Sequence, residues 1–63
     1  MRYQCYYFEP VFIGGVQHRG ARHDVVSFDN EYDADRYCSS HVEFANGPDG
    51  EVECEILYEE VED

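Results

Sequence analysis

The chain is 63 residues long, 43% hydrophobic and 16% aromatic, and its formal net charge of −11 comes from 15 acids set against four arginines and no lysine. It is too rich in apolar residues for a disordered tail and too short for more than one thin core, since a domain of this size buries only about 60% of the surface its unfolded chain exposes. The charge argues against direct contact with nucleic acid or an anionic membrane and favours basic protein surfaces, including those that hold nucleic acid.

Residues 2–9 (RYQCYYFE) are dense in tyrosine and phenylalanine and predict a first strand. Period two places Tyr3, Cys5 and Tyr7 on one face and Gln4, Tyr6 and Phe8 on the other. Pro10 has no amide proton, so the strand must end, bulge or reach an unpaired stretch there. Gly14 and Gly15 signal a turn, and residues 16–21 (VQHRGA) read as a loop or loose hairpin tip. Residues 22–28 predict a second strand, antiparallel to the first, with Val26 and Phe28 inward and Val25 outward.

Asp29 or Asn30 is the expected helix N-cap, because a short side-chain oxygen there accepts from the orphan amides of the first turn. Glu31, Asp33 and Asp35 follow, where acids suit the helix dipole. Over residues 30–45, Ala34, Tyr37, Cys38, His41 and Ala45 recur at helical spacing and predict one helix with a narrow buried stripe. Gly47 then serves as a left-handed cap and Pro48 as a breaker. Residues 51–59 alternate strictly. Val52, Cys54, Ile56 and Tyr58 fall on one face and Glu51, Glu53, Glu55, Leu57 and Glu59 on the other, the pattern of a half-buried strand. A frayed tail is expected from Glu60.

These elements predict an α+β fold: one β-β-α-β domain over residues 1–63, a three-stranded sheet with one helix packed on one face. A right-handed crossover through the helix makes strands two and three parallel and gives the order 2-1-3, with the first strand central and antiparallel to both. The uncovered face, bearing Gln4, Tyr6, Phe8, Glu51, Glu53, Glu55 and Leu57, is the expected partner surface.

Charge is unevenly placed. Residues 1–23 carry Arg2, Arg19 and Arg22 against Glu9, a net of +2, whereas residues 24–63 carry 14 acids against Arg36, a net of −13. Same-face residues on a strand stand roughly 6.5–7 Å apart, close to the interval between phosphates along one nucleic-acid strand. Glu51, Glu53, Glu55 and Glu59, extended by Asp33 and Asp35, are therefore candidate phosphate mimics, with Tyr6 and Phe8 as anchors. Two plainer readings compete: a solvated strand face that guards an edge, and adaptation to high salt, against which three cysteines and ten aromatic rings weigh.

Cys38 and His41 lie three apart on the expected helix, a spacing that suits zinc if Cys5 and Cys54 join from the sheet. The competing readings are core cysteines and a Cys5–Cys54 disulfide; no metal or cofactor is assigned. The segment QHRGARH (17–23) is the only basic cluster and reads as a solvated tip that pairs with nearby acids rather than as a phosphate site. No nucleophile–base spacing and no glycine-rich phosphate loop is present, so an enzyme is not expected. The opening residues hold no apolar run of signal-peptide length and no segment suits a membrane span. With an odd number of widely spaced cysteines, a reducing cytoplasm is the expected location.

In size, charge block, missing lysine and spare fold the chain resembles the small phage-encoded inhibitors of host defence, the anti-CRISPR and anti-restriction proteins, several of which are acidic DNA mimics. The resemblance implies an inhibitor in the host-cell cytoplasm whose partner is a nucleic-acid-binding protein or complex, such as a CRISPR effector subunit with a basic groove. It carries no motif that assigns individual residues. A monomer is expected in preference to a homodimer, and the alternative role is a small structural or adaptor module, paired through a sheet edge or open aromatic face, whose acidity serves solubility.

Overall fold

A computed structural model describes residues 1–62. In chain order the elements are β1 (Arg2–Ile13), β2 (Val16–Phe28), α1 (Glu31–Ser40), β3 (Val42–Gly47), β4 (Gly50–Glu55) and β5 (Leu57–Val61). β2, β1 and β5 form an antiparallel sheet in that order, and β3 and β4 form a separate two-stranded sheet. The fold is α+β, and the sheet order matches the expected one with β5 as the last strand. Among the described residues there are five strands rather than the expected three.

Gly14 and Gly15 have φ of 60° and 81°, so two residues suffice to turn β1 into β2, and Ile13 pairs directly with Val16. Pairing therefore starts at the turn, and residues 16–21 are strand, not the expected loop. The glycine that signalled a loop has another use. A Cβ on Gly20 would run into the backbone of Glu9 and the side chain of Val11. The register slips on β2 at that point, from Phe8↔Arg22 to Pro10↔Arg19. Gly20 thus sits at a β-bulge beside Pro10, where the ladder lacks a donor.

Asn30 is the N-cap: its Oδ1 accepts from the Asp33 amide at 2.9 Å, and its Nδ2 donates to the Asp33 carboxylate at 2.9 Å. The helix ends at Ser40, five residues short of the expected Ala45. Ser39 and Ser40 donate back to the carbonyls of Asp35 and Arg36 at 2.9 and 2.8 Å, which competes with helix continuation. His41 is extended and closes the helix through its amide on the Tyr37 carbonyl, 3.0 Å away. Residues 42–47 then alternate along a strand. Gly47 lies in β3 opposite Gly50, so it is not a helix cap. Pro48 and Asp49 make a hairpin turn, with Pro48 and Gly50 at turn positions they favour.

The expected strand 51–59 is one extended run that changes partners. Up to Glu55 it pairs with β3, and from Leu57 it pairs with β1. Ile56, only 2% exposed, is the corner. The inward alternation survives the change: Val52, Cys54, Ile56 and Tyr58 are all buried or half-buried. β5 continues through Val61, past the Glu60 at which fraying was expected; Asp63 lies outside the described residues.

The core is small. Cys5, Ala34 and Ile56 are buried, and Tyr3, Val26, Phe28, Tyr37, Cys38 and Tyr58 pack around them. Under the hairpin β3–β4, Cys54 and Glu43 lie close to Tyr7 and Glu9 of the long β1–β2 ribbon. The result is a slab 41 × 22 × 12 Å with a radius of gyration of 13.2 Å, longer than the roughly 11 Å expected of a compact chain of this length. Among the described residues no helix is long and apolar enough to cross a membrane.

Candidate protein-binding surface

β4 turns Val52 and Cys54 inward, so Glu51, Glu53 and Glu55 share its outer side, and all three are exposed. They form a row whose backbone positions recur at the strand's same-face interval, about 6.5–7 Å. Beyond Glu55 the acidity crosses to the helix. Asp35 and Glu55 line one shallow depression together with Tyr6, Cys38, Ser39, Leu57 and Tyr58. Glu31, one turn before Asp35, accepts from the Tyr58 hydroxyl at 3.3 Å. The surface thus runs Glu51, Glu53, Glu55, Asp35, Glu31.

Of the other expected site residues, Tyr6 borders this depression beside Leu57, and Glu59, Asp33 and Phe8 are not among its lining residues. Glu59 belongs to β5 and its carboxylate meets Arg22 Nη2 at 2.7 Å. Asp33 is turned to Asn30 on the flank that carries Phe28, Arg36, Tyr37 and His41. Tyr6 and Phe8 pack edge-to-face, ring centroids 5.7 Å apart. Arg22 lies 4.0 Å above the Tyr6 ring and Arg19 lies 4.5 Å above that of Phe8, so the aromatic face is lidded by cations. The expectation that these rings share one open sheet face with Glu51, Glu53 and Glu55 is corrected: the glutamates belong to the separate β3–β4 sheet, and Tyr6 meets the row only at Glu55, across the shared depression.

Sequence reasoning missed Glu31, Val42 and Phe44. Glu31 and Asp35 are spaced i, i+4 and so share a helix face, but spacing alone does not say which face meets β5. The helix expected over residues 30–45 takes in Val42 and Phe44, which the structure places in β3. The available signal was the alternation VEFA directly before an NGPDG turn.

The basic segment 17–23 lies along β2 and is not a hairpin tip. Arg22 is held by Asp24 at 2.9 Å as well as by Glu59, and both contacts keep its charge in place. His23 meets Glu9 at 3.0 Å and stacks on Tyr7.

The thiols of Cys5 and Cys38 are 4.0 Å apart, while Cys54 sits in a different neighbourhood, beside Glu43 and Glu9. All three are free thiols. His41 stacks on Tyr37 with ring centroids 4.1 Å apart and does not share the Cys38 depression. Among the described residues no three His, Cys, Asp or Glu side chains converge to hold a metal ion.

By architecture the chain is an α+β protein with one anionic hairpin face. No protein-family model matches it, and neither a curated protein nor a solved structure does.

Proposed function

We propose that the protein is a binding inhibitor, not a catalyst. Its carboxylate surface occupies the basic groove of a nucleic-acid-binding protein or complex and excludes nucleic acid by mass action. The observation that carries this reading is the exposed row Glu51, Glu53 and Glu55, continued by Asp35 and Glu31. Glutamates carried at regular intervals on a paired strand need no backbone ordering on binding, and the charge mainly speeds encounter and selects partners. The partner class that the size and charge imply is a host-defence complex, a CRISPR effector subunit among them.

The test is capture from a host lysate by the tagged chain and by the triple variant Glu51→Gln, Glu53→Gln, Glu55→Gln. The native chain is expected to retain a nucleic-acid-binding protein at low salt and release it to added DNA or to high salt. The variant, still folded, is expected to retain none. Equal capture by both would remove the row from the mechanism.

A second reading, an adaptor that self-associates, is favoured by Val11, Ile13 and Val16, which are 45%, 63% and 58% exposed at the end of the β1–β2 ribbon.

A further inference from the structure

We infer that the outer face of the β3–β4 hairpin fits a groove built for a single strand of nucleic acid, with Phe44 in the place of a base and the glutamates in the place of phosphates. This deepens the proposed function and rests on it.

The register sets two rows side by side: Val42 opposite Glu55, Phe44 opposite Glu53 and Asn46 opposite Glu51. Neighbouring strands lie about 4.8 Å apart, so each carboxylate has a non-acidic neighbour across the hairpin. Val42 and Phe44 are 48% and 55% exposed, with Phe44 at the middle of the strip. Ala45, Val52 and Cys54 point to the other side, toward the ribbon, so the hairpin is held from behind while its outer face is uncovered.

Charge and shape together select the occupant. Grooves for a single strand combine cations that track the backbone with aromatic rings on which bases stack. A duplex presents phosphates on its outside and keeps its bases stacked within, so a groove shaped to it offers a protruding ring no platform. One row of carboxylates with one free ring beside it complements the single-strand groove.

The probes are two hexapeptides of equal charge, one alternating Arg and Trp and the other Arg and Gly. Each is titrated at low salt into the isotope-labelled full chain while the backbone amides are followed by NMR. The Arg–Trp peptide is expected to bind at least about fivefold more tightly, the low end of one base–aromatic stack, with shifts centred on β3 and β4. Phe44→Ser is expected to abolish that preference and leave Arg–Gly binding unchanged; Phe44→Trp is expected to keep it, which guards against a folding defect in the serine variant. Equal affinity for the two peptides, or a preference that survives Phe44→Ser, overturns the single-strand assignment alone. If neither peptide moves the hairpin amides, the anionic-face reading falls with it.

Discussion

The Cys38 thiol shows what this small core does to titratable groups. It is pushed up from an ordinary value of 9.0 to about 11, first by burial, then by the neighbouring Cys5 thiol and by the carboxylates of Asp35 and Glu55. Cys5 and Cys54 are raised as well, chiefly by burial. Tyr3, Tyr7 and Tyr58 are shifted upward in the same sense, by burial and then by nearby glutamates. In every case the neutral form is favoured by the fold, so the contribution to stability is fully present below the unfolded value and disappears as pH rises through the folded one. The urea midpoint is therefore expected to hold to about pH 9 and to fall steadily toward pH 11. A midpoint that rises over that interval would contradict this account of the core.

At the scale of elements, the β1–β2 ribbon depends on a bulge that only glycine accommodates. Gly20 approaches Glu9 so closely that a Cβ has no room. Gly20→Ala is expected to cost about 1–3 kcal/mol, the usual range for overpacking, and to show as a lower denaturation midpoint with β2 amides exchanging faster near the bulge. Wild-type stability in that variant would mean that the ribbon relaxes freely there. The hairpin β3–β4 shows where local pattern is ambiguous. His41 and Ala45 fall on the helical stripe begun by Ala34 and Tyr37, yet Val42, Phe44 and the following turn equally describe a strand. The serine pair at 39 and 40 resolves the ambiguity by bonding back to the helix carbonyls. The inward alternation of Val52, Cys54, Ile56 and Tyr58 was legible; that the run leaves one sheet for another at Ile56 was not, since period two says which face is buried and nothing about the neighbour that buries it.

For the whole molecule the governing quantity is a net charge of −11 on a slab 12 Å thick. No charge on so thin a body is far from solvent, and like charges within a Debye length of about 10 Å at 0.1 M salt repel. Added salt is therefore expected to raise the melting temperature of the isolated chain, while loosening any complex made through the carboxylate row. Sedimentation over the same salt series separates the two readings of function. Self-association through Val11, Ile13 and Val16 would hold or tighten with salt, and a chain that stays monomeric throughout leaves those residues without that role.

The sequence by itself determined the fold class, the central position of the first strand, a helix cap at Asp29 or Asn30, the glycine turn and the alternation that exposes Glu51, Glu53 and Glu55. The strand order follows from the handedness of the crossover through the helix; the cap, the turn and the alternation are local rules of period, cap or turn. Only the tertiary structure decided that Glu59 is matched to Arg22, that arginines cover Tyr6 and Phe8, and that Asp35 and Glu31, rather than Asp33, continue the acidic surface. Those outcomes depend on which strand lies beside which, and on the direction a helix faces once packed, and both are set by the sum of long-range contacts rather than by any neighbouring residues in the chain.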